Sequence, residues 1–223
     1  MTTTLILLAI VMASLIGWLL RQSFNTQPWV AGEAGTAPQE SDSVDASAQT
    51  IGLGAFLAVA ASFFALFISA YALRMELPDW IPVDEPALLW ANTGALVLAS
   101  IVFQWGRNGA RTGDLRRVQV GQVIGGALTI FFLGGQWVVW QELNGAGHYV
   151  WANPANAFFY LLTALHAVHV IGGMWVWART TFKVLRGTGF DPEQVRRSVE
   201  LCTIYWHFLL LVWFVLFWLL LST

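Results

Sequence analysis

Long uncharged apolar runs alternate along this chain with short breaks that carry proline, glycine or charge. The runs cover residues 4–20, 51–73, 87–106, 118–140, 155–178 and 201–221. About twenty residues at ~1.5 Å each suffice to cross a ~30 Å hydrocarbon core, so each run is read as a transmembrane helix. The pattern predicts an all-α, polytopic membrane helix bundle of six transmembrane helices, one N-terminal helix plus a five-helix core over 51–223. Residues 1–20 have neither a positively charged start nor a small-x-small cleavage signature, and are expected to be a retained span rather than a signal peptide. Between this span and the core, residues 21–50 hold Pro28, Gly32, Gly35 and Pro38 with Glu33, Glu40, Asp42 and Asp45. Such a stretch buries too little apolar surface to fold alone and is expected to be a flexible acidic linker.

Composition strengthens the membrane assignment. Hydrophobic residues make up 57% of the chain and charged residues 11%, against about 25% charged in ordinary soluble domains. The 13 tryptophans match the interfacial enrichment of that residue. A net charge of −2 indicates no nucleic-acid partner. The single cysteine, Cys202, excludes an intrachain disulfide and any cysteine-based metal cluster.

Lysine and arginine set the expected orientation. Arg107, Arg111, Arg116 and Arg117 fall in one break, and Arg179, Lys183, Arg186, Arg196 and Arg197 in another. With Arg21 they share one side of a six-span arrangement, opposite Arg74 alone. The basic breaks and the linker are therefore expected in the cytoplasm and both termini outside.

Candidate chemistry concentrates in two runs. Phe158–Trp177 contains His166 and His169, three residues apart on one helical face, and 201–221 contains Tyr205-Trp206-His207-Phe208. Intramembrane imidazoles are costly without partners. At ~1.5 Å per residue, His169 and His207 fall at nearly equal depth, which permits a membrane electron carrier with haem b held between them. The alternative is that each imidazole bonds to groups on its own bundle. On the fourth run, Gly121 and Gly125 form a GxxxG that allows close helix approach, and Gln122, Thr129 and Gln136 make a polar stripe expected to hydrogen-bond to neighbouring helices. No Asp, Glu, Lys or Arg lies well inside a run, and Glu200 is placed at a helix boundary. No nucleophile–base pair or phosphate loop is visible either, so these residues describe a subunit without catalytic residues or a redox centre of its own.

Several ordered blocks resemble subunit III of the haem-copper terminal oxidases, the cytochrome c and quinol oxidase family. They are Phe63-Phe64-Ala65-Leu66-Phe67 with Ser69-Ala70-Tyr71, Asn92-Thr93, Gly134-Gly135-Gln136, Asn156 through Gly173, Tyr205-Trp206-His207-Phe208, Val212-Trp213 and Leu216-Phe217. The resemblance covers about residues 51–221. It implies a noncatalytic accessory subunit of an energy-transducing membrane, taken as the bacterial plasma membrane. Haem and copper would reside in the partner catalytic subunit I, and bound phospholipid and other oxidase subunits would be its further contacts. It also implies support of proton uptake and sustained turnover in that partner. His166, His169, Trp206 and His207 carry over as helix-packing or lipid contacts, and Arg116 and Arg117 as contacts to anionic lipid or partner subunits. Members of the family usually carry a glutamate where this chain has Ala60 and an aspartate where it has Leu210, so roles of those acids do not transfer. Nitric-oxide-reductase-associated proteins are a related branch.

Overall fold

The computed structural model describes residues 40–83, 86–186 and 192–222, and every regular element among them is helical. The helices are α1 (Glu40–Arg74), α2 (Leu88–Thr112), α3 (Leu115–Gly145), α4 (Pro154–Arg186) and α5 (Pro192–Leu221). All five are long and apolar enough to span a membrane. The chain is an integral membrane protein with five membrane-capable helices among the described residues. The sixth helix, expected over 1–20, lies outside the described residues, as do residues 21–39 of the expected linker.

The helices run past the apolar runs that define them. α1 begins at Glu40, inside the stretch 21–50 expected to be a linker, because residues 40–50 contain no proline or glycine to stop the helix propagating upstream from the apolar run. The basic break at 107–117 is almost entirely helix as well. Arginine is a good helix former, so α2 continues until Gly113 adopts a left-handed φ of 75°. Asp114 then caps α3 by accepting the Arg117 backbone N–H at 3.1 Å. Glu200 is likewise not at a boundary: α5 starts at Pro192, so Glu200 lies within the helix.

The chain divides into two compact units, residues 1–66 and 67–223, with α1 running through the division. In the first, Leu57, Ala60, Ala61 and Phe64 are buried at helical spacing. In the second, α2, α3, α4 and α5 form a ring in which each helix packs against two others: α2 on α3 and α5, and α4 on α3 and α5. Glycines set the closest approach. A Cβ on Gly121 of α3 would stand 2.8 Å from the Cα of Gly106 on α2, so the GxxxG face brings two backbones into contact.

At the end of the bundle opposite the α2–α3 turn, Trp80 packs edge-on against Tyr71 and near Phe158, with centroids at 4.8 and 6.2 Å. Asn153 accepts the Ala155 N–H at 2.8 Å, capping α4, and donates from Nδ2 to the Ile81 carbonyl. Arg74 grips Asp79 through both guanidinium NH₂ groups at 2.6 and 2.5 Å. That hydrogen bond holds the Asp79 carboxyl below the usual carboxylate range.

Candidate functional site

The ring of four helices is tied together by tryptophan. Trp213 on α5 donates its indole N–H to Thr93 of α2 at 2.9 Å, and Trp206 on α5 donates to Thr129 of α3 at 3.0 Å. Trp140 on α3 donates to Thr163 of α4 at 3.1 Å, and Trp177 on α4 donates to the Gln122 carbonyl of α3 at 2.9 Å. Each of the three threonine hydroxyls spends its own hydrogen on the carbonyl four residues back, at Leu89, Gly125 and Phe159. The oxygen lone pairs are thereby left to accept the indole. Small residues make room for the rings: a Cβ on Gly126 would overlap the Trp177 indole, and one on Gly125 would stand 2.7 Å from the Phe103 ring.

His166 sits inside this ring of bonds with no solvent exposure (0%). Its imidazole centroid lies 5.2 Å from Trp213 and 5.8 Å from Phe132, which itself meets Trp213 edge-on at 4.9 Å. Asn92, beside Thr93, packs against the α3 backbone at Gly135, where a Cβ would overlap its carboxamide oxygen. The buried side chains include Asn92, Thr93, Gln122, Thr129, Gln136, Thr163 and His166. Among the described residues, no Asp, Glu, Lys or Arg is buried. The expected stripe is buried throughout, and Thr129 meets Trp206 as a side-chain acceptor. Gln122 contributes its backbone carbonyl instead, and the Gln136 carboxamide makes no hydrogen bond within the described protein.

His169 and His207 do not face one another. The Tyr205 hydroxyl donates to the His169 backbone carbonyl at 2.8 Å, which fixes the side of α5 that meets α4. His207 lies two residues on, about 200° round the helix at ~3.6 residues per turn, and its side chain is exposed. Each imidazole Nδ1 bonds to a carbonyl of its own helix, His169 to Leu165 at 2.8 Å and His207 to Thr203 at 2.7 Å. A carbonyl only accepts, so Nδ1 carries the hydrogen in both. Equal depth did not include direction around the helix, and these two rings do not fit a haem held between them. Among the described residues, no group of three His, Cys, Asp or Glu is arranged to hold a metal ion.

Of the other sequence-derived positions, Trp206 is buried against Phe103 and Thr129, while Arg116 and Arg117 are exposed at the basic end. Arg117 pairs with Asp114 at 3.1 Å and lies 5.9 Å from the Trp105 ring centroid. Glu200 accepts from Arg111 at 2.8 Å and lies 3.8 Å from Arg107, joining α5 to α2 at that end. Sequence reasoning held Thr93, Thr163 and Trp213 only within the resemblance blocks and gave no bonding role to them, to Trp140 or to Trp177. The available signal was Trp206 and Trp213 set deep within the last run, with threonines on the facing helices.

Asn92 and Thr93, Gly135, His166 and Trp213 thus gather in one buried cluster although they lie on four helices, and Trp206 packs about two turns away on Thr129 and Phe103. Residues 32–222 match the family Cytochrome c oxidase subunit III. The chain belongs to that family. It is 31% identical over 176 residues to the probable cytochrome c oxidase subunit 3 of Mycobacterium leprae, covering 75% of this chain and 84% of that protein. It is 30% identical over 165 residues to cytochrome c oxidase subunit 3 of Synechocystis, covering 72% and 69%. Quinol oxidase subunit 3 of Bacillus subtilis is 27% identical over 191 residues, covering 81% and 90%. Membership in the subunit III family accords with a terminal-oxidase, respiratory context for this membrane chain.

Proposed function

We propose that this chain is a noncatalytic accessory subunit of a respiratory haem-copper oxidase. It packs against the catalytic subunit I, which carries the haems and copper, binds phospholipid, and supports proton uptake and stable turnover by that neighbour. Its membrane is the bacterial plasma membrane, with the basic end of the bundle in the cytoplasm and both termini outside. The observation that carries this reading is the neutral buried layer. Its threonines Thr93, Thr129 and Thr163 join helices by accepting from tryptophans, and no buried carboxylate or cation among the described residues offers a proton relay. A subunit built this way acts through the partner it steadies.

The test is a mild-detergent pull-down of the tagged chain with a visible spectrum and mass analysis. The expected result is a haem-bearing catalytic subunit that co-purifies, with the spectrum lost when the chain is stripped of it. A haem spectrum that stays with the isolated chain overturns the noncatalytic reading. A colourless preparation without any oxidase partner overturns the assembly.

A further inference from the structure

Two carboxamides in the buried cluster are unmet. Both polar atoms of Asn92 on α2 and both of Gln136 on α3 are buried and make no hydrogen bond within the described protein. The two residues are 0% and 2% exposed. The other buried carboxamides differ. In Gln122 and Asn156 only the carbonyl oxygen is in that position, and Asn156 donates to the Tyr149 carbonyl at 3.2 Å. A primary amide offers two N–H donors and an oxygen with two lone pairs, and hydrocarbon supplies a partner for neither. Two such groups inside a membrane bundle are costly unless something polar meets them.

Helix register brings the two groups to one height. A Cβ on Gly121 would meet the Gly106 backbone and one on Gly135 would overlap Asn92, so the two contacts stand fourteen residues apart on both α2 and α3, in antiparallel order. Gln136, next to Gly135, therefore lies within about one residue of the height of Asn92. Trp206 on α5 bonds to Thr129 on α3, and Trp213 and Gln136 each lie seven residues further along, nearly two turns. Gln136 is also four residues past Phe132 and shares its face. Phe132 meets Trp213 and His166 edge-on, with centroids at 4.9 and 5.8 Å. Both carboxamides thus stand at the height of these three rings, each of which belongs to a residue that is 0% exposed.

We propose that Asn92 and Gln136 hold a bound water between α2 and α3 inside the bundle. Water is the ligand whose chemistry matches: its two hydrogens suit the two carboxamide oxygens, and its two lone pairs suit the two NH₂ groups. The Asn92 oxygen occupies the space that a Cβ on Gly135 would take, which fixes one side of the site. The longer Gln136 side chain closes it from α3. The water ties α2 to α3 at the height where Trp213 already joins α5 to α2 through Thr93 at 2.9 Å. The site depends on these residues alone, whatever the chain assembles with.

The test is X-ray radiolysis of the full chain, in mild detergent as extracted and equilibrated in heavy-oxygen water, with mass spectrometry of its peptides. Radiolysis of a bound water makes a hydroxyl radical in place, which oxidises the side chains beside it. Trp213, Phe132 or His166 is expected to gain heavy oxygen despite being sealed from solvent, while Trp151, 83% exposed, reports the dose. Asn92→Leu with Gln136→Leu removes all four polar atoms at nearly constant shape. It is expected to abolish the label on the three rings and to leave that on Trp151 unchanged. Gln136→Met alone, the variant least able to disturb packing, is expected to lower the ring label. A wild-type chain whose three rings stay unlabelled, at a dose that oxidises Trp151, overturns the site. Ring label that persists in the double variant places the water on other groups and overturns the assignment to Asn92 and Gln136. The unfolding midpoint accompanies each variant, and if the double variant does not fold, the wild-type label and its change in Gln136→Met decide the question.

Discussion

The Trp206 indole donates to the Thr129 hydroxyl at 3.0 Å while that hydroxyl donates to the Gly125 carbonyl at 2.9 Å, so one threonine accepts from α5 while its own hydrogen stays within α3. Thr129→Val removes the acceptor but keeps the shape, leaving a buried indole N–H without a partner. Loss of a buried partner costs about 1–3 kcal/mol in general, and interhelical bonds in membranes average nearer ~0.6 kcal/mol. Thr129→Val is expected to lower stability by about 1 kcal/mol. Trp206→Phe removes the donor as well as ring area, and the double variant is expected to be less destabilised than the sum. Additivity in a double-mutant cycle, read from unfolding in mixed micelles, counts against the bond as a coupled pair.

Gly134 and Gly135 are neighbours in sequence with opposite prospects. A Cβ at Gly134 meets nothing within 4 Å, whereas one at Gly135 would overlap the Asn92 carboxamide. Gly134→Ala is expected to be neutral or to stabilise by up to about 1 kcal/mol through helix propensity. Gly135→Ala is expected to destabilise by about 1–3 kcal/mol, because it overpacks the α2–α3 contact. Thermal unfolding of the two variants separates them, and equal midpoints would contradict the close approach of Asn92 to α3.

The helical class and the five core spans were legible because a bilayer admits few ways to satisfy a backbone, so hydropathy alone identifies them. Their ends were not legible. Leu115, Arg116 and Arg117 suit a helix as well as a loop, and only the left-handed Gly113 and the Asp114 cap break α2 from α3. Of the candidate residues, His166 and Trp206 are both buried, as intramembrane polar and aromatic groups within long runs suggest. The joining of His169 to His207 was not, since depth follows from counting residues while azimuth depends on which neighbour each helix meets. Tyr205 turns toward α4, and that carries His207 to the outside. The paired threonines and tryptophans were hidden for a related reason, because their partners lie on other helices and have no fixed sequence spacing.

The Arg74–Asp79 pair gives the loop after α1 a dependence on pH. Its hydrogen bond to Arg74 lowers the Asp79 carboxyl from its ordinary value, so the folded pKa lies below the unfolded value of ~3.9. The contribution is then fully present above the unfolded value and is lost as pH falls through the folded one. Protease nicking near residues 75–83 is expected to rise only in strong acid in the wild type. In Asp79→Asn it is expected to be high at neutral pH and to vary little with acidity. A wild-type profile that changes around neutrality would assign the dependence to some other group.

His166 and His207 separate packing from assembly, because one is sealed in the layer and the other lies on the outer face of α5. His166→Ala removes a ring packed between Phe132 and Trp213, and is expected to cost about 2–4 kcal/mol as a buried large-to-small change. Its unfolding midpoint should fall whether or not a partner is present. His207→Ala leaves that layer untouched and is expected to shift the midpoint of the isolated chain by no more than about 0.5 kcal/mol. Its effect is expected in the complex, as weaker co-purification with the catalytic subunit or earlier loss of oxidase turnover. The two readouts move independently if the outer face of α5 serves assembly. If His207→Ala changes neither co-purification nor turnover, that imidazole has no part in the complex beyond its bond to the Thr203 carbonyl.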